Sequence, residues 1–390
     1  ECRYLFAPVA LRLIHKENGT IEVENRYDFL TLSGLKLNWS VLKNGKAVKK
    51  GFIRLGKVLP DEKNVLHIPD ISAVKYASSD EIVLRADVVY AEDTPFAQKG
   101  TLCTTEAFMI HEAESMSTFA QKNTALVDEK AIEAATNCIP AISRPLLEND
   151  VIKKMLPYRS ILGDITGFNQ KPAAQWIDSG LVNAKITEEE NGEFSLDSCD
   201  GAIKSVHFGN AVRTVKKAKA PNGQDALHIE VEISLNNSVK EYLRAGVQFR
   251  LPASYQAVRY YGLGPQECYC DRKAGAKLGL YESALKDLGV PYIVPQQNGD
   301  RADTRYLEFL SADGKKALHI QSAKPFSFCV SAFTDADIWK AEHTVDLTDT
   351  TECENGFWTV SIDAFQRGVG TAACGPDALE QYRVRPGVYR

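Results

Sequence analysis

The chain has 390 residues, 44% hydrophobic and 25% charged, with a formal net charge of −5. Acids and bases are interleaved, which excludes a basic face for nucleic acid and a cationic strip for a membrane surface. No apolar run approaches the roughly 20 residues that span a bilayer, and the length predicts two or more domains.

The first hundred residues read as strands. Ile21 and Val23 alternate with Thr20, Glu22 and Glu24, and Leu35, Leu37, Trp39 and Val41 repeat the period of two that buries one sheet face. Asn44-Gly45 supplies the left-handed angles of a tight hairpin turn, and the chain returns from Ala47 to Leu55. Ile82, Leu84, Ala86 and Val88 form a further strand, closed by Asp93-Thr94-Pro95. Strands at this spacing predict a small immunoglobulin-like sandwich over residues 1–112. Residues 113–157 read as linker and irregular start of the next domain. Within them Asp128 to Asn137 suits a short helix capped by Asp128, with Ile132 on its apolar side, and Pro140 and Pro145 stop it.

Strands resume near Leu181. Leu227, Ile229, Val231, Ile233 and Leu235 give five alternating apolar positions, Phe326, Phe328 and Val330 repeat the pattern, and Asp335 to His343 reads as a single helix. Antiparallel strands without βαβ alternation predict a large β-sandwich over residues 158–390, so the fold class is all-β. Nine cysteines, an odd number without a CxxC pair, point to reduced thiols and a cytoplasmic home. The chain opens at Glu1 with no basic-then-apolar leader, which implies that whatever preceded it was removed.

Signatures of chemistry are sparse. HExxH, GxSxG and a phosphate-cradling glycine loop are missing, and seven histidines are scattered without metal-ligand spacing. The residues alone stop at a two-domain β protein.

One segment carries more. Gly262-Leu263-Gly264-Pro265-Gln266-Glu267-Cys268-Tyr269-Cys270-Asp271-Arg272 is followed by Val290-Pro291-Tyr292 and by Pro295-Gln296-Gln297-Asn298-Gly299. It resembles the hallmark of the final domain of family 2 β-galactosidases: Gly-x-Gly-Pro-x-Glu-x-Tyr-x-Asp-Arg, then Val-Pro-Tyr and Pro-x-Glu-Asn-Gly. Weaker likeness covers Thr20 to Arg54, Ala173 to Gly180, and Gly356-Phe357-Trp358 with Asp363 to Gly370. The chain departs from the pattern at Gln297, which replaces an acid, and at Cys268 and Cys270. The family's Arg-x-Pro-x-Asp-Asn-Asp appears here as Arg144-Pro145-Leu146-Leu147-Glu148-Asn149-Asp150.

The resemblance implies an immunoglobulin-like domain followed by a galactose-mutarotase-like sandwich, the C-terminal part of a retaining β-galactosidase. Two catalytic carboxylates, with Mg or Na in some such enzymes, would belong to a barrel outside this chain; no cofactor is expected within it. The implied partners are that barrel, on the same polypeptide or a large subunit, a β-galactoside, and further copies in a homo-oligomer. Trp358 is the implied sugar-stacking residue; an ordinary core Trp is the competing reading. Glu267, Asp271 and Arg272 suit a structural network better than an active site, Gly262 and Gly264 suit a sharp bend where side chains would clash, and Pro265 belongs to the same motif. Tyr269, Asn298 and Gly299 complete the structural motif. A standalone carbohydrate-binding or structural small subunit is the alternative function. A sugar epimerase would need paired His and Glu, and none stands out.

Overall fold

The structure, a computed structural model, describes residues 2–69, 71–114, 128–162, 171–220 and 223–390. It is mostly antiparallel β, in two compact units. The first takes Glu1–Phe119 with Tyr261–Pro265 and Ala274–Tyr281; the second takes the rest. The linker expected at 113–157 falls partly outside the described residues. No described helix is long and apolar enough to cross a membrane.

The first unit pairs a three-stranded sheet with a four-stranded one. The smaller has β1 (Val9–His15), β2 (Thr20–Asn25) and β5 (Lys63–His67) in the order β1-β2-β5; the larger has β3 (Leu35–Lys43), β4 (Lys46–Arg54), β6 (Ile82–Tyr90) and β7 (Leu102–His111) in the order β4-β3-β6-β7. The alternating positions point inward. Ile21 and Val23 meet Leu37, Trp39, Val41, Leu84, Ala86 and Val88 in one core. Each buried Val, Leu or Ile among them contributes about 1.5–3 kcal/mol. Asn44 (φ 50°) and Gly45 (φ 81°) make the expected turn. Opposite Trp39 on β4 stands Gly51, where a Cβ would lie 2.6 Å from the indole, so a glycine inside a strand makes room for the ring.

The second unit opens with the helix Glu129–Thr136. Asp128 caps it by accepting from the Lys130 N–H, and Ala131 rather than Ile132 is the buried member of its apolar side. The helix ends at Thr136, before Pro140, but the stretch expected to be irregular holds β8 (Ile139–Ala141) on a sheet edge, where a missing N–H is tolerated.

Two sheets follow. Five strands, β9 (Lys185–Glu188), β10 (Glu193–Asp197), β11 (His207–Lys219), β12 (Asp225–Leu235) and β19 (Gly387–Tyr389), run in the order β19-β12-β11-β10-β9. The larger sheet holds β13 (Arg244–Pro252), β14 (Tyr255–Gly264), β15 (Lys277–Ala284), β16 (Arg301–Ser311), β17 (Ala317–Ser331) and β18 (Phe357–Gln366), in the order β15-β14-β16-β17-β18-β13-β8; the end of β14 and most of β15 are counted with the first unit. Phe194, Phe208, Ile233 and Leu235 of the five-stranded sheet share a core with Ala245 of β13, with Leu243 just before that strand and with Trp176.

The β11–β12 hairpin outreaches its neighbours. Its pairing runs out to Lys219 and Asp225, whereas β10 stops at Val212 and β19 covers only residues 233–235. Ile233 and Leu235 are therefore buried while Leu227 is 41% exposed, and the expected five-residue buried face is only half realised. The helix at Asp335 ends at Lys340, three residues early. Pro172–Asp178 is a helix with Pro at its first turn, and Trp176 on it is fully buried, its Nε1 donating to the Glu241 carbonyl at 2.8 Å.

Candidate functional site

β14 carries Gly262 and Gly264 inside its extended run, so the bend assigned to those glycines falls instead at Pro265 and Gln266. Beyond it Glu267 gathers three donors: the Gly299 N–H at 2.8 Å, the Tyr292 hydroxyl at 2.7 Å and the Arg272 guanidinium. Burial pushes this carboxyl up, but those donors outweigh it and hold Glu267 below the usual carboxylate range. Asn298 ties the same loop down, accepting from the Val290 N–H and donating to the Gln296 carbonyl, both at 2.9 Å. Gly299 takes φ 79°, a backbone suited to glycine. Tyr269 is buried with the Arg272 guanidinium 5.1 Å from its ring centroid. At the position of the family's acid, Gln297 is also buried.

Asp271 does not join Arg272. Its carboxylate turns to the segment after β18 and accepts the Val369 N–H at 3.0 Å and the Gly370 N–H at 2.8 Å. Asn149 meets the same two residues, its Nδ2 donating to the Val369 carbonyl at 3.2 Å and to the Gly370 carbonyl at 2.7 Å. The exposed turn that follows closes on itself: Thr371 N donates to Pro376 O, and Gly375 N to Thr371 O. Lys171 Nζ adds a bond to the Ala372 carbonyl at 2.9 Å. Asn149, Lys171, Ala372 and Gly375 line a small cleft of about 170 Å³ together with Asp150, Trp176 and Arg367.

Beneath lies an ionic network that sequence reasoning missed. Arg144 pairs with Asp150 at 2.9 Å, both buried. Arg367 reaches Asp150 at 3.5 Å, Glu241 at 3.0 Å and Asp377 at 2.7 Å. Arg244, wholly buried, lies 3.4 Å from Asp363. Burial pushes Asp363 up to about 6 against the pull of Arg244. Partners as far apart in sequence as Asp150 and Arg367 leave no local pattern. The spacing Gly368-Val369-Gly370 is the one available signal of close backbone approach, since a Cβ on Gly368 would lie 2.5 Å from the Asp271 carboxylate.

Trp358 corrects an expectation. It is 5% exposed, and its Nε1 donates to the Tyr255 carbonyl at 2.9 Å. An indole enclosed in this way has no free face for a sugar ring, so Trp358 is a core residue of the second sandwich.

Comparison with known proteins places these features in a family. The model of the beta galactosidase small chain matches residues 111–390, and that of beta-galactosidase domain 4 matches residues 21–111. The chain is 30% identical to the beta-galactosidase of Kluyveromyces lactis over 54% of this chain and 20% of that protein. It is 23% identical to the beta-galactosidase of Priestia megaterium over 81% and 32%. With the beta-galactosidase of Photobacterium profundum it shares 25% identity over 98% and 38%. The chain thus spans between a fifth and two fifths of these relatives' length. A match over 280 of 390 residues (111–390) is decisive: the chain belongs to the beta-galactosidase small-chain family.

Proposed function

We infer that this chain is the C-terminal, non-barrel part of a β-galactosidase that hydrolyses terminal β-galactosides with retention. Its catalytic carboxylates would lie in a barrel outside the chain, roughly 5 Å apart as retention requires. This part serves as scaffold and contributes one wall of the sugar site. The observation that carries the wall is the turn Thr371–Pro376, exposed to solvent yet bound through its base to Asp271 and Asn149. An exposed loop on a rigid base suits a binding edge better than a mobile one does, because orientation is fixed before the ligand arrives. Its backbone amides and hydroxyl suit the polar rim of a sugar rather than an apolar ligand.

The test is reconstitution. The chain alone should leave a chromogenic β-galactoside intact. Joined to its barrel it should release β-galactose first, as read by nuclear magnetic resonance of the fresh product. Turnover by the chain alone, or release of the α-anomer, would sink this reading.

A further inference from the structure

We propose that Asn149 and Asp271 are positioning residues that set the pose of the turn Thr371–Pro376 and, through it, the affinity for a β-galactoside; the second half rests on the assignment of that turn to the sugar site. The two side chains grip one dipeptide in complementary ways. Asp271 takes both N–H groups of Val369 and Gly370, and Asn149 donates to both of their carbonyls. Neither side chain could fully replace the other, because a carboxylate has no donor and an amide has a single acceptor oxygen for two N–H groups.

The anchor and the tip differ in kind. Val369 is buried with Leu147 and Tyr269, whereas Thr371 and residues 373–376 are exposed. The tip therefore takes its position from hydrogen bonds at its base more than from apolar packing. Gly370 adopts φ 55°, and a Cβ there would lie 2.7 Å from the Ala378 nitrogen, so the base is tight as well as bonded. Gly368 lets the Asp271 carboxylate come close enough to reach two N–H groups at once.

Asn149→Asp keeps the shape and turns a donor into a charge facing two carbonyls. Asp271→Asn keeps the shape and replaces one of the two acceptor oxygens by an NH₂, which then opposes one of the two N–H groups. In the chain alone, each should speed hydrogen exchange over residues 369–375 and alkylation of Cys374 by iodoacetamide by roughly tenfold, the factor expected for one net hydrogen bond lost. The thermal melt should remain cooperative. In the chain joined to its barrel, KM for an aryl β-galactoside should rise about five- to tenfold with kcat within about twofold, since orientation and not chemistry is lost. If Asp271→Asn does not fold, Asn149→Ser carries the same measurements. Unchanged exchange and alkylation would overturn the clamp. Faster exchange with unchanged KM would leave the clamp standing and overturn the sugar-site assignment.

Discussion

The indole N–H of Trp358 on β18 donates to the carbonyl of Tyr255 on β14, 2.9 Å away and out of reach of solvent. In the order of the larger sheet, β16 and β17 stand between those strands. The bond therefore joins two strands that are not neighbours and does not belong to the sheet's ladder.

Trp358→Ala should cost about 3–5 kcal/mol of stability, as large core truncations do. Trp358→Phe, which keeps most of the ring and strands the Tyr255 carbonyl, should cost about 1–3 kcal/mol. Chemical denaturation of the isolated chain measures both, and a loss below about 1 kcal/mol for the alanine variant would contradict core placement.

Glu267 predicts an acid limb of the stability curve. Its folded-state carboxyl sits below the ordinary value of 4.5, so the stabilisation is fully present above that value and is lost as pH falls through the folded one. Glu267→Gln should lower the melting temperature most near pH 7 and least at the acid end. A difference between wild type and variant that does not change with pH would show that the carboxylate charge is not what matters.

Lys153 places its ammonium among the carbonyls of Pro295, Ile338 and Ala341, at 3.1, 2.9 and 3.0 Å, with Trp339 beside it. Lys153→Met fills the same volume without a donor. It should destabilise by about 2–3 kcal/mol, the range for charged hydrogen bonds lost from a partly buried site. Lys153→Arg should recover little, because the planar fork cannot meet three carbonyls as a point charge does.

Thiol reactivity should split into two classes. Cys2, Cys353 and Cys374 are exposed, whereas burial pushes Cys268, Cys270 and Cys329 up to about 12. At pH 8 a thiol reagent should label the first group in the native chain and reach the second only in denaturant. Early labelling of Cys268 would mean that the hallmark loop opens readily.

Strand alternation made much of the fold legible. Ile21, Leu37, Leu84 and Ile233 lie where a period of two puts them, and Asn44-Gly45 turns as its chemistry requires. The same rule overstated Leu227, because alternation reports which face a side chain takes and not whether a neighbouring strand covers it. The helix bearing Trp176 is too short for a helical period to show. The candidate site was legible only in part. Asp271 stood out through its motif, but its partners at Val369 and Gly370 lie about a hundred residues away. Trp358 was misassigned because the resemblance gives its place along the chain, at the second position of β18, and not how deep that position is buried.

The reach of Arg367 also bears on synthesis. Asp150 and Glu241 leave the ribosome long before the arginine that lies against both of them, and Asp377 follows it. Until then the nascent second sandwich must keep two carboxylates hydrated that the finished one keeps dry. Cooperative closure of this sandwich is thus tied to emergence of its last quarter, and chains arrested before residue 367 should be digested readily by protease at the point where the released chain resists.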